Sequence, residues 1–259
     1  MSRDRWTKDQ VKLAFNLYCQ LPFGKLHSRN PEVIELAELI GRTPGALAMK
    51  MCNIASLDPA ITSTGRSGLG NASALDREVW DEFHADWDGL AMDCQHILER
   101  LRAARGLRAT KDQEIPNDDE AEDFTGESRL AVTERRLRQH FFRRAVLSSY
   151  RERCCMTGLS DSRLLIASHI VPWSKDKHNR LNPRNGLCLS ALHDKAFDLG
   201  LITLDEDYRV ILSSDLSRRN DTFARQAFHR LEGRKITLPE RFEPDKALLA
   251  RHRDEVFLG

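Results

Sequence analysis

No stretch of this chain stays apolar for the ~18 residues that a membrane-spanning helix needs. Its opening residues, Met1-Ser2-Arg3-Asp4-Arg5, lead into no apolar core of the signal-peptide kind, so a soluble, cytoplasmic protein without a membrane partner is expected. Cysteine is sparse and scattered, at Cys19, Cys52, Cys94, Cys154, Cys155 and Cys188, and no two form a C-x-x-C pair. That spacing excludes a zinc ribbon and argues against a disulfide framework. Net charge is also nearly absent, at +1 over 259 residues. What is present is enough apolar material for a core, 41% of residues, and 31% charged residues, far from a disordered composition.

The near-zero total conceals a strong local imbalance. Residues 111–127 hold eight acidic residues and one basic, whereas residues 128–154 hold eight Arg and two Glu. The acidic run has neither helical period nor strand alternation and reads as a solvated linker. It divides the chain into a helical region, 1–110, and a second domain, 128–259, whose core is expected at 150–215. A basic block of this kind suits a polyanionic partner.

The first region carries local helix signals. Thr7 can cap a helix whose apolar face is Val11, Ala14, Phe15 and Tyr18. A second helix opens at Pro31, runs through Val33, Ile34, Leu36, Ala37 and Ile40, and stops at Gly41. Thr43 then caps a third, with Pro44 at its first position. Helix, Gly-containing turn, helix over about 31–55 is the geometry of a helix-turn-helix. With Trp6-Thr7 opening the first helix and Gly41-Arg42-Thr43 the last, this stretch resembles the Myb/SANT trihelical DNA-binding module. The resemblance implies that Arg42, Lys50 and Asn53 face DNA. Further on, Trp80, Phe83, Trp87, Leu90, Ile97 and Leu101 mark an amphipathic helical stretch, read as core or dimer seam.

The second domain holds the chemistry. Leu164 to Trp173 is an apolar strand that delivers His169 just before a proline-marked turn. A polar loop leads to a second short strand ending at Leu189, and Ser190 can cap a helix containing His193, with Gly200 beyond its end. The order strand, loop, strand, helix, with Cys155-Met156-Thr157-Gly158, Ala167-Ser168-His169-Ile170, Asn185-Gly186-Leu187 and Leu192-His193-Asp194-Lys195-Ala196-Phe197-Asp198, resembles the HNH (ββα-metal) endonucleases, in particular the restriction-enzyme subgroup. The resemblance spans most of 135–215. It implies an α+β protein that hydrolyses DNA phosphodiester bonds with a divalent ion, Mg²⁺ or Mn²⁺, in restriction or defence against foreign DNA. His169 would be the general base, because an imidazole can take a proton from water near neutral pH. His193 would be a metal ligand, and Asn185 would fix the loop or orient His169.

Two departures accompany the resemblance. Ser168 stands where many HNH nucleases place an Asp or His ligand, so Asp194 and Asp198 are the alternative carboxylates, although Asp198 also suits the helix end. Paired cysteine knuckles are missing, and structural zinc is not expected. Phosphate contacts are expected from His178 and Arg180 in the loop and from Arg138, Arg143 and Arg144 on the basic stretch. A hairpin is expected from Leu201–Leu204 and Tyr208–Leu212, followed by a mostly helical tail over 223–257 in which His252-Arg253 either docks or touches DNA. One site per chain cuts one strand at a time, so double-strand cleavage would call for a homodimer. The rival readings are a catalytically silent DNA-binding regulator and a structure-specific or RNA-directed repair nuclease.

Overall fold

A computed structural model describes residues 5–62, 70–107 and 129–259, with side chains from residue 132 onward in the last segment. The acidic 111–127 run lies outside the described residues. The chain falls into two compact units, Met1–Arg144 and Ala145–Gly259, with the division inside one helix. No described helix is long and apolar enough to cross a membrane.

The first unit is all helical among its described residues: α1 (Lys8–Gln20), α2 (Pro31–Leu39), α3 (Pro44–Ala55), the short α4 (Pro59–Thr62), α5 (Ala74–Ala85), α6 (Trp87–Ala104) and most of α7 (Arg129–Ser149). α1 starts with a capping box: Thr7 Oγ1 accepts from Gln10 N–H, and Gln10 Oε1 accepts from Thr7 N–H at 3.2 Å. Its buried face packs against α3, α5 and α6, so the trihelical stretch is part of a larger bundle. Phe15 is fully buried, with the Phe83 ring 4.4 Å away in an edge-to-face arrangement. Gly41 ends the α2 turn at φ +69°, a conformation that costs a glycine little.

The second unit is built on β1 (Leu165–His169), β2 (Gly186–Ser190) and α8 (Ala191–Asp198). β1 and β2 pair antiparallel, with Leu165 opposite Ser190 and His169 opposite Gly186, and α8 packs on both strands. A second hairpin, β3 (Ile202–Leu204) with β4 (Val210–Leu212), follows, and then α9 (Ser214–Arg218), α10 (Thr222–Ala227) and α11 (Lys246–Glu255).

The tail differs from the helical expectation. Between the short helical turn at His229–Leu231 and α11 the chain runs without helix beside β4: Val210 N–H donates to Arg234 O, Gly233 N–H to Val210 O, and Ile236 N–H to Tyr208 O. Edge pairing with β4 outweighs local helix propensity here, helped by Gly233 at φ +68° and by Pro239 and Pro244, which lack a donor. His252 is also a core group, 2% exposed. Its ring stacks on Phe197 at 3.8 Å, its Nε2–H donates to Phe197 O, and Thr203 Oγ1 donates to its Nδ1. It docks α11 on α8 and β3, the first of the two roles expected for it.

Burial pushes the His252 imidazole down to about 4. An unfolded histidine titrates near ~6.5, so between about pH 6.5 and 4 the unfolded chain binds a proton that the folded one refuses, and stability falls as pH is lowered through that window. His252→Gln should reduce the urea midpoint near neutral pH yet show a shallower decline on acidification than wild type. Equal declines in the two proteins would remove His252 as a source of the acid sensitivity.

Candidate active site

β1 ends at His169, and the loop 170–185 returns the chain to β2. Asn185 closes this loop from inside. It is fully buried, and every hydrogen-bonding group of its amide is used. Its Oδ1 accepts from Val171 N–H at 2.9 Å, and its Nδ2 donates to Val171 O at 3.1 Å and to Asn179 O at 3.2 Å. Its own carbonyl accepts from Ile170 N–H at 2.9 Å. Asp176 orders the far side, accepting from the backbone N–H groups of His178 and Asn179 and from Asn179 Nδ2. The next residue after Asn179 is Arg180, whose carbonyl lies 3.0 Å from His169 Nε2.

That last contact decides the tautomer. A carbonyl can only accept, so Nε2 carries the proton and the lone pair is left on Nδ1. The ring stands perpendicular to Trp173 with centroids 5.7 Å apart, and the Arg180 guanidinium lies over the same indole at 5.1 Å. Burial holds the His169 imidazole down at about 4, partly offset by the Arg180 carbonyl, so the ring is neutral at physiological pH.

Successive residues of a strand point to opposite faces, so Ser168 faces away from His169. Ser168 is 2% exposed, and its Oγ finds no hydrogen-bond partner among the described residues. Arg180 Nε is likewise buried and unpartnered. On α8, His193 is buried, and both its ring nitrogens are engaged. Nε2–H donates to Ala227 O at 3.1 Å, and Ser190 Oγ donates to Nδ1 at 2.6 Å. Ser190 therefore makes no capping bond to α8, although it stands at the N-cap. Burial, with help from the Arg230 charge, lowers the His193 imidazole below its ordinary range.

These side chains do not form a chelating set. Asp198 is exposed, and five positions from His193 it lies about 140° around the helix, on a different face. Asp194 is half-buried, four residues before Asp198 and on the same side of the helix. Among the described residues, no three His, Cys, Asp or Glu side chains converge to hold a metal ion. His193 could coordinate only by giving up the Ser190 or Ala227 bond. Cys154, Cys155 and Cys188 are buried free thiols, and burial pushes the Cys155 thiol well up.

The residues expected to touch phosphate separate into distinct environments. Lys50 is corrected outright: it is 7% exposed, and its Nζ bonds both oxygens of the buried Asp76 carboxylate at 2.8 and 3.1 Å. It is a core ion pair, and desolvation leaves it no surface for DNA. Arg42 is turned inward, donating to Gln10 Oε1 and to Arg5 O beneath the Trp6 ring. Asn53 is half-buried, with its Oδ1 unpartnered. Arg138, expected at phosphate, bonds Asp88 and Glu134, and Arg144, expected there too, pairs with Glu32. Arg143 is half-buried, while His178 is exposed. Among the expected phosphate contacts, Arg180 stands beside His169.

Several contributors belong to no motif: Trp173 ends the apolar run, and Asp176 and Asn179 lie in the polar loop. The signal for the last two was the Asx-rich loop itself, Asp176, Asn179, Asn182 and Asn185 at three-residue spacing, a pattern suited to local side-chain-to-backbone bonds.

No curated protein matches the chain. Residues 154–205, the stretch that contains β1, the Asn185 loop, β2, α8 and β3, match the family model of the HNH endonucleases.

Proposed function

We propose that this protein is a divalent-metal-dependent endonuclease that hydrolyses phosphodiester bonds in duplex DNA and serves restriction of foreign DNA. The observation that carries the reading is His169, a neutral imidazole held by the Arg180 carbonyl with its lone pair on Nδ1. A water at Nδ1 would lose its proton to the ring as its oxygen bonds to phosphorus. The bond from phosphorus to the 3′ oxygen then breaks, and that oxygen takes a proton from solvent. Arg180, stacked on Trp173 beside the base, supplies positive charge for the pentavalent phosphorus centre. Asn185 acts as a positioning residue, through Asn179 and Arg180. Mg²⁺ or Mn²⁺ belongs to the proposal through the HNH resemblance. The described side chains offer it no chelating set, and no step is assigned to it.

That same lack of ligands favours one second reading, a DNA-binding regulator whose nuclease fold is silent. Incubating supercoiled plasmid with the full chain and Mg²⁺ or Mn²⁺ separates the two: nicked or linear product supports the nuclease, and unchanged plasmid with retained binding supports the regulator. Digestion of modified against unmodified DNA tests the restriction role.

His169→Ala should lower the cleavage rate by about 10²- to 10⁴-fold while leaving duplex affinity near wild type, since a general base acts in the chemical step. Wild-type cleavage by His169→Ala would end the assignment. Because a depressed pKa keeps the base deprotonated, cleavage limited by it should stay level from about pH 8 to about pH 5.5, where an unperturbed histidine would have lost activity below ~6.5.

Asn185→Ala should cost about 10- to 100-fold in cleavage, the usual scale for losing a side chain that orients a reacting group. It should also expose the 171–184 loop to limited proteolysis. Asn185→Asp keeps the acceptor for Val171 N–H but loses both donated bonds and sets a buried charge against their carbonyls, and should cost at least as much as Asn185→Ala. A loop cut no faster in Asn185→Ala than in wild type would show that the loop stands without this clamp.

A further inference from the structure

Several cations of the second unit already pair with a carboxylate. Arg163 pairs with Asp161, Arg184 with Asp245, Arg218 with Asp215, Arg151 with Glu240, and Lys175 and Arg251 with Glu255. The stretch after α9 is different. Arg219, Arg225, Arg230, Arg234 and Lys235 are all exposed, and no ion pair or side-chain hydrogen bond among the described residues engages any of them. Of the two carboxylates interspersed with them, Asp221 is committed to capping α10, where it accepts from Ala224 N–H at 2.8 Å. Phe223, within the same stretch, is 62% exposed.

An unpaired arginine on a loose tail would mean little, but this segment is fixed to the nuclease fold. Ala227 O accepts from His193 Nε2, the Phe228 ring lies 5.5 Å from the His193 ring, and His229 Nε2 bonds Leu216 O. Arg234 O accepts from Val210 N–H of β4. The cations are therefore held on a backbone tied to the helix of the strand-strand-helix unit. Four of the five are arginines, whose planar fork suits phosphate oxygens. The segment lies beyond residue 205, where the family match ends.

We propose that residues 219–235 form a contact surface for the phosphate backbone of duplex DNA, holding the substrate against the unit that carries His169. The substrate role rests on the nuclease reading, whereas the binding role can be tested without cleavage. Each phosphate neutralised by a cation releases counterions and adds about 0.9 to the slope of log affinity against log salt.

The test uses the full chain, a short labelled DNA duplex and a salt titration without divalent ions. Arg219→Gln/Arg225→Gln/Arg230→Gln should lower the salt slope by about 2 to 3 and weaken binding at low salt by at least about tenfold. The triple Lys variant at the same positions should restore most of the slope. Arg163→Gln/Arg218→Gln, which removes two cations that already have partners, should change it little. A wild-type slope in the triple Gln variant, with circular dichroism showing it folded, would overturn the surface whatever His169→Ala does to cleavage. Loss of slope on an RNA duplex but not on DNA would overturn the assignment to DNA. A reduced slope together with no cleavage by the wild-type chain would support the surface and remove the nuclease reading alone.

Discussion

The candidate site depends on one buried amide. Asn185 uses its oxygen and its nitrogen on the same residue, Val171, and so reproduces with a side chain the two-way exchange that paired strands make with their backbones. The rest of the amide reaches Asn179, and the following peptide presents its carbonyl to His169. A glutamine would carry the same groups on a longer and more mobile stem. An aspartate would place charge in a buried position where two carbonyls already wait for a donor. The loop therefore needs asparagine chemistry at this point, and the orientation of the imidazole is inherited from it.

What was legible in the residues was whatever is local or repeats in short order. Thr7 and Thr43 each cap the helix that their pattern announced, because a cap is a bond across a few residues. The order of β1, loop, β2 and α8 was equally readable, since apolar runs and turn residues delimit each piece. Lys50 was misread because a lysine at that position looks the same whether its partner is water or Asp76, twenty-six residues away. The sequence is equally silent on the ion-pair partners of Arg138 and Arg144, which are Asp88 and Glu32. Partner choice between charged side chains is a tertiary property, and composition shows only that charges are present.

The two histidines of the resemblance also have unlike surroundings. His169 bonds the Arg180 carbonyl through Nε2, and His193 is bonded through both nitrogens, to Ser190 and Ala227. Ser168, between the strand pair and the core, brings a hydroxyl that nothing described satisfies.

The support for α8 comes from far along the chain. His193 is satisfied by Ala227, and the carbonyl of Phe197 is satisfied by His252, which lies well past the last residue of the recognisable domain. Proteins emerge from the ribosome in sequence order, and segments fold as their contacts become available. His169 and its loop are synthesised first, but the helix beside them has its bonding completed only when His252 of α11, 55 residues beyond Phe197, has been made.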